Sequence, residues 1–401
     1  MKMKTEMKKG WEIKSLGEVA DVEYGFTDKS TEDGDYRYVR ITDIDNDGEL
    51  ITTEKKYVNY SKEAEGFLIQ DNDLLMARTG ATFAKVLLYN DFEPSVFASY
   101  LIRIKFKEKI ENKLYWYFTK TKSYWEQANS LASGAAQPHF NGAAVKQVIF
   151  SYPKSLPEQQ RIVSILDEAF AAIAVAKANA EQNLKNAKEL FESYLQGVFE
   201  KKREGWEKKT LKEVCEKITD GTHQTPKYFD EGVIFLSSRN VTSGKIDWDN
   251  IKYIDKKQHL EMHKRVAPKV GDILLAKNGT TGVAAMVDKD LVFDIYVSLA
   301  HIRVLDEVSP DFMLYFINSP IAKKQFNKRL KGSGVPNLHL EEIREVEITY
   351  PKSKKQQNDL VQKLNDFSVE TKRLEAIYQQ KILDLEELKK SVLQKAFNGE
   401  L

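Results

Sequence analysis

The 401-residue sequence has one cysteine, Cys215, ten prolines, and no hydrophobic run of membrane-spanning length. A single cysteine excludes an internal disulfide framework, and its alignment with Ala20 predicts a small buried residue rather than a nucleophile. The missing run excludes a membrane helix, and the charged start lacks the apolar core of a signal peptide. A cytoplasmic protein is expected. Catalytic phrases are missing too. There is no glycine-rich loop ending in Lys-Ser or Lys-Thr, which a nucleotide-hydrolysing motor needs to cradle phosphates. There is no Asn-Pro-Pro-Tyr type of loop, and no strand–GxGxxG–helix unit to seat S-adenosylmethionine. The Glu-x-Lys triplets, such as Glu12-Ile13-Lys14, are what chance supplies in a chain this charged. The sequence therefore predicts no catalytic residue and no cofactor bound by this chain. His259 and His263 stand four apart, but Glu261 is misplaced for a zinc protease, so a surface pair and no metal site are expected. Excess positive charge is lacking as well: 61 basic and 60 acidic residues leave +1. That argues against a nucleic-acid partner except locally, because between Asp311 and Glu341 there is no acid but there are Lys323, Lys324, Lys328, Arg329 and Lys331.

What the chain does have is itself, twice. Gly10-Trp11-Glu12-Ile13-Lys14 returns as Gly205-Trp206-Glu207-Lys208-Lys209. Asp73-Leu74-Leu75-Met76-Ala77-Arg78-Thr79-Gly80 returns as Asp272-Ile273-Leu274-Leu275-Ala276-Lys277-Asn278-Gly279, and Ser151-Tyr152-Pro153-Lys154 as Thr349-Tyr350-Pro351-Lys352. Order and spacing are kept over about two hundred residues, so the repeat is a whole domain plus a connector.

Each copy opens with a mixed region. Strands are predicted at Arg37–Thr42, Phe97–Ile104, Ile234–Leu236, Ile273–Ala276 and Ser298–Val304, and one helix each at Asn112–Asn129 and Pro310–Leu330. Each copy closes with a helix of heptad pattern. The first seam runs through Ile162, Leu166, Ala169, Ile173, Ala176 and Ala180. After a stutter it continues through Leu184, Ala187, Phe191, Tyr194 and Val198. The second runs through Leu360, Leu364, Phe367, Leu374, Tyr378, Leu385, Leu388 and Val392, with Thr371 and Lys381 at seam positions. The chain supplies two such helices, so an antiparallel pair is expected, with pairing of each to another subunit as the alternative, and the first is about 65 Å long at 1.5 Å per residue. The fold class is α+β: two tandem domains, 1–155 and 204–352, with long coiled-coil helices over 156–203 and 353–401.

The loops offer amides, hydroxyls and cations, the groups that distinguish base edges in the major groove. The candidates in the first copy are Arg40, Thr42, Arg78, Thr79, Thr82, Gln137, His139 and Asn141. In the second they are His223, Gln224, Arg239, Asn240, Lys277, Asn278, Thr280, Thr281, Asn337 and His339, with Lys324 as a phosphate contact. Framework residues match between the copies while these change, as in two readers on one scaffold. Turn chemistry alone would also place Gly, Asn and Thr here.

Taken together, the duplicated Gly-Trp-Glu start, Leu156-Pro157-Glu158-Gln159-Gln160-Arg161-Ile162, Asp220-Gly221-Thr222-His223 and the closing stretch from Leu388 to Leu401 resemble the specificity subunit of type I restriction–modification enzymes. The resemblance covers essentially the whole chain, and departs from the family phrase at Ser353-Lys354-Lys355-Gln356-Gln357, which puts the start of the second helix in doubt. It implies two target recognition domains, each reading half of a bipartite, asymmetric double-stranded DNA site. It also implies two modification subunits bound to the helices and methylating adenine with S-adenosylmethionine, and restriction subunits using ATP and Mg. Catalysis would then sit on the partners. Two alternatives stand beside it: a coiled-coil scaffold or regulator unrelated to DNA, and a self-sufficient DNA methyltransferase.

Overall fold

The structure is a computed structural model and describes residues 9–134, 138–200, 203–241, 244–330 and 336–401. It divides into two units, the first running to Ala180 and taking back Gln380–Leu401, the second spanning Glu181–Gln379.

The strands of unit 1 are β1 (Trp11–Ser15), β2 (Ala20–Tyr24), β3 (Tyr36–Val39), β4 (Tyr57–Val58), β5 (Leu74–Ala77), β6 (Val86–Leu88), β7 (Ser95–Phe97), β8 (Leu101–Phe106) and β9 (Ile149–Pro153). Its helices are α1 (Leu16–Val19), α2 (Lys62–Glu65), α3 (Asn112–Phe118), α4 (Lys122–Leu131), α5 (Gly142–Val145) and the start of α6 (Leu156–Glu200). Three sheets result, ordered β2-β8-β5-β6, β4-β3-β7 and β1-β9.

Unit 2 repeats the plan. Its strands are β10 (Trp206–Thr210), β11 (Cys215–Asp220), β12 (Val233–Leu236), β13 (Lys252–Ile254), β14 (Ile273–Ala276), β15 (Ala284–Met286), β16 (Phe293–Ile295), β17 (Leu299–Val304) and β18 (Glu347–Pro351). Its helices are α7 (Leu211–Val214), α8 (Lys256–Met262), α9 (Pro310–Asn318), α10 (Pro320–Arg329), α11 (Leu340–Arg344) and most of α12 (Lys354–Phe397). The sheets are β11-β17-β14-β15, β13-β12-β16 and β10-β18.

The central strands read as unbroken apolar runs because both their faces are covered. Leu74 and Met76 point into the core shared with α3 and α6, while Leu75 and Ala77 point to the three-stranded sheet. Ile273 and Leu275 divide from Leu274 and Ala276 in the same way. The strand expected over Phe97–Ile104 is two, β7 and β8, and that expected over Arg37–Thr42 ends at Val39 in a 3₁₀ turn over Ile41–Asp43. Each single helix expected in the mixed regions is also two. Thr121 Oγ1 caps α4 at the Tyr124 amide, 3.2 Å, and Ser319 Oγ caps α10 at the Ala322 amide, 3.2 Å. A side-chain cap satisfies a free helical amide and so starts a new helix where the pattern alone reads on.

In unit 1 the first half of α6 lies antiparallel to the end of α12: Lys177 pairs with Glu386 at 2.5 Å, and Lys389 sits 5.2 Å from the Phe170 ring. Ile162, Leu166, Ile173, Leu393 and Ala396 are buried there, and Leu385 is half-buried. In unit 2 the rest of α6 packs on the start of α12, with Phe191 stacked 6.4 Å from Phe367 and Leu184 half-buried. Leu364 is fully buried, as is Thr371, whose hydroxyl turns back to the Phe367 carbonyl at 3.0 Å. The expected seam needs correction at four places. Leu388 is 48% exposed, Leu374 37% and Tyr194 38%, and Lys381 is exposed. Leu195 is buried instead, and Ile382 and Lys389 are half-buried. A helix turning every 3.6 residues drifts by about 20° per heptad against a 3.5 repeat, enough to move the buried stripe one residue along.

The start of each long helix is fixed by one buried amide. Gln159 accepts from the Glu111 amide at 2.7 Å and donates to the Pro153 carbonyl at 2.8 Å and the Lys109 carbonyl at 3.3 Å. Gln357 accepts from the Ser309 amide at 2.7 Å and donates to the Pro351 and Glu307 carbonyls at 2.9 and 3.1 Å. The second helix thus begins where the sequence left doubt, because the divergent phrase keeps the glutamine that does the joining.

Candidate nucleic-acid interface

In each unit, two loops meet where the central strand ends. Unit 1 leaves β5 at Arg78, whose carbonyl accepts from the Phe140 amide at 2.8 Å, and Thr79 bridges His139. In unit 2 the Lys277 carbonyl accepts from the Leu338 amide at 2.8 Å, and Asn278 bridges Asn337. Gly80 and Gly279 follow with φ of +80° and +78°, the left-handed turn that glycine adopts without strain. Among the described residues, four of the six buried side-chain atoms without a hydrogen-bond partner belong to these loops: Thr79 Oγ1, Thr82 Oγ1, Asn278 Oδ1 and Asn337 Oδ1. Unpaired buried polar atoms are costly, and each unit keeps two of them in its paired loops.

The strand registers place Tyr24 of unit 1 where unit 2 has Asp220, and Tyr100 where it has Ser298. Around them the cation is held differently. The Arg78 guanidinium lies 5.3 Å from the Tyr24 ring and 5.2 Å from the Tyr100 ring. Two aromatic faces fix its plane while its N–H edge makes no hydrogen bond among the described residues. Lys277 is 5% exposed, with its ammonium 3.2 Å from Asp220. Asp220 also takes Arg265 and, at 3.3 Å, His223. Burial pushes the Asp220 carboxyl up, but hydrogen bonds from Arg265, Lys277 and His223 outweigh it and hold it below the usual carboxylate range.

The remaining predicted residues divide by what their side chains do. Arg40 is spent on Asp43, at 2.8 Å from Nη2 to Oδ1, and buried Asn240 accepts from the Ser237 amide at 2.9 Å while donating to two carbonyls. Asn141 caps α5 at the Ala144 amide, 2.9 Å. These three build their own loops. Thr42, His139, His223, Gln224, Arg239, Thr280 and His339 are exposed, and Thr281 is half-buried. Gln137 lies outside the described residues, as does Lys331. Lys324 stands on α10, lining an open concavity of about 510 Å³ with Lys323, Lys328 and Glu192. Arg265 escaped the sequence reading because nothing in its neighbourhood marks it as a partner of Asp220, 45 residues away.

Cys215 is buried, and burial pushes its thiol up to about 12, as a structural cysteine requires. The histidine pair is not a surface pair. His259 and His263 donate or accept through Nδ1 at 2.7 and 3.0 Å with Asp294, itself buried. Among the described residues no helix is long and apolar enough to cross a membrane.

Comparison with known proteins agrees over both copies. The family model described as the type I restriction modification DNA specificity domain matches residues 8–186 and again 203–383. The chain is 23% identical to the specificity subunit of the type I restriction enzyme MjaVIII of Methanocaldococcus jannaschii, over 83% of this chain and 80% of that protein. It is 23% identical to the EcoKI specificity subunit of Escherichia coli K12, over 99% and 90%. The fold is similar to a solved chain concerned with complex assembly and conformational transition of the type I R-M system, with TM-score 0.77, 18% identity and 99% and 100% coverage. It is also similar to the HsdS subunit of Thermoanaerobacter tengcongensis, with TM-score 0.65, 18% identity and coverage of 100% and 99%.

Proposed function

We propose a function from one premise: the chain belongs to the type I restriction modification DNA specificity family. It is the DNA-recognition subunit of a type I restriction–modification complex. Residues 1–155 and 204–352 act as two recognition domains, each reading one half of a bipartite, asymmetric site through its paired loops. The helices over 156–203 and 353–401 receive two modification subunits, which carry S-adenosylmethionine and methylate adenine. Restriction subunits join through that complex and supply the ATP- and Mg-dependent steps. This chain positions the DNA and performs no chemistry itself, in the cytoplasm where that DNA lies.

The observation that carries this reading is Arg78. A guanidinium clamped between Tyr24 and Tyr100 with its donor edge unspent is preorganised for a bidentate acceptor, and guanine O6 and N7 form such a pair in the major groove. The test is methylation by this chain with its modification subunits, mapped across a genome, for the wild type and for Arg78→Ala. The variant should relax one base of one half-site. An unchanged motif, or equal loss on all sequences, would remove Arg78 from base reading.

A further inference from the structure

We propose that His259, His263 and Asp294 form a three-ligand site for a divalent late transition metal ion, zinc being the test ion. The ion would fasten α8 to the edge strand β16.

The geometry begins with helical spacing. His259 lies on α8 and His263 caps its end, so residues four apart share one face. Asp294 lies on β16, beneath that face. The two imidazoles present Nδ1 to the two carboxylate oxygens at 2.7 and 3.0 Å, and all three ligand atoms lie within 4.8 Å of one another. Zinc holds nitrogen and carboxylate oxygen at about 2.0–2.2 Å, which sets tetrahedral ligands about 3.4 Å apart. Each N···O contact therefore has to open by about half an ångström, within the reach of side-chain rotation. The donor set suits zinc and its neighbours rather than magnesium or calcium, because two of three ligands are imidazole nitrogens. The His259 and His263 side chains are 16% and 32% exposed, so an ion can enter and a water can complete the shell.

The duplicate supplies the second observation. The parallel pairing of β3 with β7 and of β12 with β16 puts Val96 where unit 2 has Asp294. Val96 is buried in a cluster without a charged group, with Phe26, Tyr38, Val58 and Ala64, the last on α2. The same helix-on-strand junction thus closes well with hydrocarbon. A carboxylate buried in its place costs desolvation that the fold does not require, and a metal ion returns that cost. The site also sits close to the recognition loops. β16 runs on into Ile295, whose carbonyl accepts from Thr222 at 3.0 Å beside His223.

The experiment uses the full chain without a histidine tag, freed of metal by a chelator and titrated with zinc chloride by calorimetry. Cobalt(II) absorption serves as a second readout of ligand number. The wild type should bind one tight zinc ion and gain melting temperature. Asp294→Val, which copies the first unit, and His263→Ala should each weaken that binding by at least about tenfold, the effect of losing even an outer-shell partner. His139→Asn should bind as the wild type does. Should Asp294→Val fail to fold, His263→Ala decides, since its ring is half-exposed. A wild type without saturable zinc binding, or variants that bind equally well, overturns the site.

Discussion

Unit 1 holds its loop cation between two aromatic rings, and unit 2 holds the equivalent cation on a buried carboxylate. The backbone is the same in both: the Arg78 amide donates to Tyr100 and the Lys277 amide to Ser298, each at 3.0 Å. The difference decides what each cation is for. Rings stabilise a guanidinium through their faces and leave its hydrogen-bonding edge unspent, so Arg78 is available to a ligand. A carboxylate uses up the ammonium, so Lys277 is part of the loop's frame. In unit 2 the groups left facing outward are those around the pair, His223, Gln224 and Thr280. On one scaffold the exposed donor thus moves from the strand end in unit 1 to its neighbours in unit 2.

The largest effect that would break this comparison is Asp220→Ala. It strands the Lys277 ammonium in a nearly closed site, and unpairing a buried ion costs about 3–5 kcal/mol. Tyr24→Ala, at the same position of unit 1, should cost far less, since Arg78 remains half-exposed. Denaturant unfolding should show the first loss in one transition of a two-transition curve. Equal, small losses would mean that Lys277 is as free as Arg78.

The second test asks what the copies share. Gln159→Leu and Gln357→Leu each strand one buried amide and two carbonyls, and should each destabilise their own unit by about 2–3 kcal/mol. A loss confined to one variant would show that the matching hydrogen bonds carry unequal weight.

These glutamines show what the sequence made legible and what it hid. Gln159 and Gln357 align once the repeat is seen, but their role depends on carbonyls about fifty residues upstream that no local pattern announces. The duplication, the strand cores and the long helices were legible because periodicity is local. The exact seam was not, since Leu374 and Leu388 turn outward when a 3.6 helix is read as a 3.5 heptad. The loops were legible as turns, and the partners of their side chains were not. Arg40, Asn240 and Lys277 have the residue types of base readers, yet their partners Asp43, Asp247 and Asp220 engage them within the protein.

On DNA, Arg78→Ala should cost about 1–3 kcal/mol of discrimination at one base, whereas Lys277→Ala should lower stability and bind all sequences less well. Competition binding of the assembled complex to single-base variants of its site separates the two outcomes. A base-specific defect in Lys277→Ala would return that residue to the reading surface.

Acid should then distinguish unit 2 by a smaller margin. Burial pushes the Asp272 carboxyl up, but hydrogen bonds from His301 and Arg303, 2.7 and 2.8 Å, more than reverse this and hold it at about 2. A folded value below the unfolded one means stability that is present above pH about 4 and lost as pH falls toward about 2. The stake is on the order of 2 kcal/mol. Unfolding measured across that range should lose this acid limb in Asp272→Asn.

The smallest effect is expected from cutting and rejoining the chain. In unit 2, Phe199 packs on Phe312 and Phe316 at 5.1 and 5.4 Å, and Trp206 packs on Phe312 at 6.4 Å. A short connector between them leads from helix to sheet. In unit 1 the counterpart Phe397 packs on Phe118 at 5.6 Å, and Trp11 and Leu401 rest on that same core. Arg161 donates to the Leu401 carbonyl at 2.8 Å, fixing the end of α12 near the start of α6. Joining Leu401 to Lys9 thus asks for a connector like the one unit 2 already has. Opening the chain between Glu200 and Gly205 removes a link whose flanking aromatics are anchored independently. Lys9, Arg203 and Glu204 are exposed, and exposed backbone tolerates breaks and joins, so stability should move by no more than about 1 kcal/mol. The permutant should still direct methylation to the original site when assembled with its modification subunits. A permutant that folds but directs methylation elsewhere would mean that the connector, and not the packed aromatics, sets how each reader is held.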